Sequence, residues 1–161
     1  MMDQQLEQNA GSVPLESRWS YRISILAGLL DRQSARRFSK HELNLVQWRI
    51  LMRVVAVGPC SISELLPLAA VDRALVSREA AALQRRGLLK IFSDLTDKRR
   101  KIVELTAAGR AKHAAVLPET IARHKYLDSA LTPEERLVFA RAIDKMKARI
   151  IDDLDSGGGG K

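Results

Sequence analysis

Residues 44–106 read NLVQWRILMRVVAVGPCSISELLPLAAVDRALVSREAAALQRRGLLKIFSDLTDKRRKIVELT. Asn44 is a good N-cap, Gln47 follows three residues on as a capping box requires, and Leu43 and Trp48 take the flanking staple positions. Leu45, Trp48, Met52 and Val55 line one helical face, and Gly58-Pro59 ends the run. Ser61 and Glu64 make a second capping box, opening a short helix with Leu65 and Leu66 inward. Pro67, its sixth residue, removes the bond to the Ser63 carbonyl, so a kinked or tightened helix ending near Ala69 is expected. Asp72 caps a third helix through Arg86 in which Val76, Ala80 and Leu83 face inward; Arg73, Ala74, Ser77, Arg78 and Ala81 share the opposite face. Gly87 is the C-cap. Two strand-like runs, 88–92 and 102–105, then flank a polar turn containing Asp94, Thr96, Asp97 and Lys98.

Helix, short helix, basic helix and charged hairpin, in that order, spell a winged helix-turn-helix, which sets one helix in the DNA major groove and a loop beside it. Charge supports this. The 161-residue chain carries a formal net charge of +8. Residues 72–110 hold 10 Lys/Arg against 5 Asp/Glu, a net of +5, whereas residues 41–71 are neutral and residues 111–161 net only +1. Positive charge gathered on one helix and its hairpin is the electrostatic footprint of a nucleic-acid binder.

Outward from this core, the fold class is mainly α with a small β-hairpin wing. Residues 1–14 are expected as a disordered arm and 15–40 as an amphipathic helix with Trp19, Ile23, Leu26 and Leu30 on one stripe. The winged region occupies 41–106. Thr106 caps a helix running towards Asp128 that Pro118 is expected to bend. Thr132-Pro133-Glu134-Glu135 joins a capping box to a first-position proline and opens the last helix. Phe139, Ile143, Met146, Ile150 and Leu154 form its stripe, which needs another surface to cover it. Residues 107–155 are thus two further helices, and 156–161, with four glycines, a flexible tail.

The segments Leu43–Gln47-Trp48, Ser61–Glu64-Leu65, Asp72-Arg73–Val76-Ser77-Arg78, Leu83–Gly87-Leu88, Asp97-Lys98-Arg99 and Leu105-Thr106–Gly109-Arg110 resemble, in order and spacing, the MarR family of transcriptional regulators. The resemblance covers roughly residues 15–153. Pro67 inside the second helix and Ala70-Val71 without a glycine at the turn depart from the family pattern. The resemblance implies a homodimer with interlocked terminal helices, for which Ile23, Leu26, Phe139, Ile143, Met146 and Ile150 are the expected contacts, and a pseudo-palindromic operator on double-stranded DNA. Arg73, Ala74, Ser77 and Arg78 are the expected recognition-helix contacts. Arg99 is the expected wing tip in the minor groove; Lys98, Arg100 and Lys101 are expected to meet phosphate or solvent, and Asp97 to order the loop by pairing with a neighbouring arginine. A small aromatic or anionic effector is expected between the terminal helices and the winged unit, with Trp19, Arg22, Arg36, His41 and Trp48 as candidate ligand-binding residues.

Other classes find little support. The single cysteine, Cys60, excludes an internal disulfide and fits a reducing cytoplasm; no segment reaches the roughly 18 apolar residues of a membrane span, and the N-terminus lacks signal-peptide order. His41, His113 and His124 have no metal-site spacing, and no Ser/His/Asp order, P-loop or Gly-rich cofactor turn occurs, so no enzyme, cofactor or metal is expected. The alternatives are a thiol redox-sensing regulator using Cys60, or a winged-helix protein-interaction module without sequence readout.

Overall fold

The computed structural model describes residues 14–69 and 73–157. The expected arm (to residue 13), the turn at Ala70-Val71, the Asp72 cap and the end of the glycine tail lie outside these residues. The chain divides into two compact units, Met1–Val116 and Leu117–Lys161.

A single 3-10 turn, Leu15–Ser17, leads into α1, Trp19–Ser39. The first helix therefore starts later than its apolar pattern suggested, because Arg18 is extended at φ −74° and ψ 125°. α1 closes on two bonds, Leu43 N–H to the Phe38 carbonyl and Glu42 N–H to that of Ser39, with Glu42 left-handed at φ 54°.

α2, Leu45–Val57, opens with both halves of the Asn44–Gln47 capping box formed. Its buried face is Gln47, Trp48, Ile50, Leu51 and Val54, while Met52 and Val55 are exposed. The expected stripe is thus rotated by about one residue. Nearly every position in this helix is apolar, so the period alone does not choose a face; packing against its neighbours does.

β1, Cys60–Ser61, is a strand absent from the sequence reading; two residues carry no alternation to detect. α3, Ile62–Ala69, follows at once, runs through Pro67 and buries Leu65. α4, Arg73–Arg85, buries Val76, Ala80 and Leu83 as its spacing predicted. Gly87, at φ 71°, ends it: its own N–H reaches the Gln84 carbonyl and Leu88 N–H that of Leu83, a Schellman closure that favours a residue without Cβ.

β2, Leu89–Ser93, and β3, Lys101–Leu105, pair antiparallel with Ile91 opposite Val103. β1 pairs on the other edge of β3, Cys60 opposite Val103, so the expected two-stranded hairpin is a three-stranded sheet in the order β1-β3-β2. Leu51, Leu65, Val76, Leu83, Leu89 and Val103 are the fully buried centre under this sheet.

α5, Ala107–Asp128, starts with Thr106 Oγ accepting from Gly109 N–H at 3.0 Å and continues through Pro118. A Cβ at Gly109 would overlap the Leu88 carbonyl and the Leu105 side chain, so α5 approaches the backbone before β2 and the end of β3 this closely only because the residue is glycine. α6, Pro133–Gly157, opens with the reciprocal Thr132–Glu135 box. It extends through Ser156, whose hydroxyl donates to the Asp152 carbonyl at 2.6 Å, so the tail begins later than expected. No helix of the described residues is long and apolar enough to cross a membrane.

Candidate nucleic-acid interface

Arg73, Ala74, Ser77 and Arg78 are all exposed, on the face of α4 opposite its buried residues. Among the described residues, the side chains of Arg73, Ser77 and Arg78 have no hydrogen-bond or ion-pair partner within the chain. Glu79, an acid on the same helix, is engaged elsewhere. Its Oε2 accepts from Asn44 Nδ2 at 2.9 Å and from Gln47 Nε2 at 2.7 Å. The capping box of α2 thereby also fixes the rotation of α4. Arg86, just past α4, donates to the Glu42 carbonyl at 2.6 Å and approaches the Glu42 carboxylate at 3.7 Å. Sequence reasoning missed both Glu79 and Arg86. Their partners lie more than thirty residues away, and only the polarity of Glu79 beside the buried Ala80 hinted at a contact.

The wing turn, residues 94–100, is held by its own carboxylates. Asp94 Oδ1 accepts from Thr96 N–H at 2.8 Å and Thr96 Oγ1 at 2.7 Å. These bonds hold the Asp94 carboxyl below its ordinary range. Asp94 N–H and the Arg100 carbonyl close the loop at 2.9 Å. Asp97 does order the turn, but its Oδ1 accepts from the backbone N–H of Arg99 at 2.9 Å and not from an arginine side chain. A short carboxylate two residues before an amide makes this turn more readily than it reaches a long flexible guanidinium.

Asp97, Lys98, Arg99, Arg100 and Lys101 are all exposed, yet they are not equivalent. Arg100 Nη2 lies 2.9 Å from Glu64 Oε2 on α3, with both side chains still half-exposed. Lys101 Nζ donates to Ser93 Oγ at 2.9 Å across the hairpin. Lys98 and Arg99 have no such partner among the described residues.

The five candidate ligand residues do not all come together within the chain. Trp48 is 2% exposed, a core residue between Phe38 (ring centroids 5.6 Å) and His113 (5.2 Å, stacked). Trp19 is 62% exposed at the start of α1. Arg36 is in the last turn of α1, so the two are about 25 Å apart at ~1.5 Å per residue; Arg22 sits with Trp19, and His41 just beyond the helix. A hollow of about 260 Å³ instead lies among Val54, Val55, Gly58, Pro59, Glu104, Leu105, Arg110 and His113. Burial pushes the His113 imidazole below its ordinary pKa.

Cys60 is buried in β1, not in a loop. Burial foremost, then the Glu64 charge, pushes its thiol up against the opposing pull of Arg53. A thiol so placed is a poor nucleophile.

Ile23 and Leu26 on α1, and Phe139, Ile143 and Ile150 on α6, are exposed within the single chain, and Met146 is half-buried.

The MarR family profile matches residues 43–101. The chain is 30% identical over 105 residues to the HTH-type transcriptional repressor NicR of Pseudomonas putida, spanning 65% of this chain and 66% of that protein. A MarR-family transcriptional regulator from Silicibacter pomeroyi is 28% identical in sequence and superposes with a TM-score of 0.74 over 87% of this chain and 94% of that one. Bordetella bronchiseptica BpsR, whose DNA binding is regulated by 6-hydroxynicotinic acid, is 25% identical with a TM-score of 0.66 over 78% of this chain and 98% of that one.

Proposed function

The chain belongs to the MarR family of transcriptional regulators, and from that premise we propose that it acts as a homodimeric, ligand-released repressor on a pseudo-palindromic operator. It is a regulator and not an enzyme. The observation that carries the proposal is the free basic face of α4: Arg73, Ser77 and Arg78 exposed, with the neighbouring Glu79 drawn away by Asn44 and Gln47. In this reading Arg78 and Arg73 reach base edges or adjacent phosphates, Ser77 a phosphate or base, and Ala74 a thymine methyl. Arg99 enters the minor groove with Lys98 on the flanking phosphate.

Two such units related by a two-fold axis would read half-sites one helical turn apart. The exposed apolar stripes of α1 and α6 supply the surface for that pairing. The proposed effector is a small aromatic or anionic molecule, and the hollow lined by Val54, Leu105 and His113, with Arg110 and Glu104 as its charged groups, is the cavity that supports its placement. Release follows if the effector favours a dimer whose recognition helices no longer match successive grooves.

Fluorescence anisotropy tests this with a duplex from upstream of the gene against scrambled DNA. Binding about a thousandfold tighter to the upstream duplex is expected. Arg78→Ala should cost about 1–3 kcal/mol of that discrimination. Equal affinity for both duplexes would overturn sequence readout, and affinity unmoved by candidate aromatic acids would overturn the release mechanism alone.

A further inference from the structure

Of the basic residues on the wing, Arg100 is the one whose guanidinium meets a carboxylate from another element among the described residues. Its partner, Glu64, lies 36 residues earlier in the sequence, at the start of α3. Glu64 Oε2 already accepts from Ser61 N–H at 2.7 Å and Ser61 Oγ at 2.6 Å, so its position is set by the helix cap before the wing arrives. Arg100 adds a third bond to that oxygen at 2.9 Å. The Arg100 backbone in turn closes the wing: its N–H donates to the Asp97 carbonyl and its carbonyl accepts from Asp94 N–H, both at 2.9 Å. A capped helix terminus, an ion pair and a hydrogen-bonded turn thus form one continuous chain ending at Arg99.

We propose that Arg100 is a positioning residue, which clamps the wing to α3 through Glu64 and so presents Arg99 to DNA without itself holding a phosphate. The proposal rests on the DNA-binding reading above. Two consequences separate it from the simple view of a wing with four equivalent cations. A phosphate ligand releases counterions, so its loss lowers the salt dependence of binding. A clamp has none to release. In addition, a carboxylate beside the DNA path repels phosphate, so neutralising Glu64 would strengthen binding if Arg100 were independent of it. Under the clamp, neutralisation weakens binding.

The experiment uses the full chain and a duplex selected by it from a randomised library. Glu64→Gln keeps an oxygen for the Ser61 bonds, so the cap survives; Arg100→Gln removes the cation. Each is expected to weaken binding by up to about fivefold, the scale of a half-exposed ion pair. The slope of log K against log salt stays unchanged, and the double variant is no weaker than either single one. Arg99→Gln is the control and lowers the slope by about one. A lowered slope for Arg100→Gln, or unchanged or tighter binding by Glu64→Gln, overturns the clamp and makes Arg100 a phosphate ligand. Amide exchange of Thr96 and Arg99 in the free protein gives an arm independent of DNA. It should speed up in both variants, and unchanged exchange with intact binding overturns the clamp alone. A wild-type chain that selects no duplex overturns the DNA-binding reading, and the proposed role falls with it.

Discussion

In the winged region Leu51, Leu65, Leu83 and Val103 are at most 1% exposed, whereas on α1 Ile23 and Leu26, and on α6 Phe139, Ile143 and Ile150, are between 39% and 55% exposed. The first set closes a core from short helices and a small sheet within one chain. The second set lies on two of the three longest helices, each with a stripe of large apolar side chains facing outward. Covering a Leu-sized side chain stabilises by about 1.5–3 kcal/mol, so stripes of this length represent a large unrealised gain in the single chain. The winged region is closed within the chain, with Trp48 sealed between Phe38 of α1 and His113 of α5, whereas the outward stripes of α1 and α6 are left uncovered. The proposed function needs this division, because in a ligand-released homodimer the reading head stays rigid while the spacing between two heads changes.

Four substitutions would break or sharpen the contrast. Leu83→Ala attacks the closed core where α4 is seated and should destabilise by about 2–5 kcal/mol in denaturant titration. If it costs less than about 1 kcal/mol, the core is looser than its burial implies. Ile143→Glu attacks the open set. It should weaken self-association about a hundredfold by sedimentation, because a carboxylate would be left unpaired in an apolar contact. Unchanged association would mean that the α6 stripe serves another partner. Gly109→Ala tests the close approach of α5 to the backbone of Leu88, just before β2; overlap with that carbonyl should cost about 1–3 kcal/mol in thermal unfolding.

The smallest effect concerns Glu64. Its carboxyl is held at about 2, against an ordinary 4.5, first by the Ser61 hydroxyl and amide and then by Arg100. A carboxyl depressed in the folded state adds stability that is complete above its unfolded pKa and vanishes as pH falls through the folded one. Melting temperature should therefore fall between about pH 4.5 and about pH 2 in the wild type, and fall less over that window in Glu64→Gln. Parallel curves would remove Glu64 from the acid response.

Much of the fold was legible because its signals are local. The Asn44, Ser61 and Thr132 caps each act over three residues, and all three boxes form. The inward Val76, Ala80 and Leu83 follow from helical geometry alone, because apart from Leu75 the rest of α4 is polar or small and leaves one face to bury. α2 shows the opposite case: with apolar residues all round, its face was decided by what packs on it.

The sequence by itself determined the order of the elements, the closing glycines, the exposed basic face of α4 and the charge of the wing, since each depends on residues within one or two turns of one another. Tertiary structure alone decided the third strand at Cys60–Ser61, the burial of Trp48 against His113, the capture of Glu79 by Asn44 and Gln47, and the commitment of Arg100 to Glu64. Each of these joins groups far apart in the chain. A charged or aromatic side chain has many partners of suitable chemistry, and only the packed backbone determines which of them lies within about 3 Å of a polar tip or 5 Å of a ring.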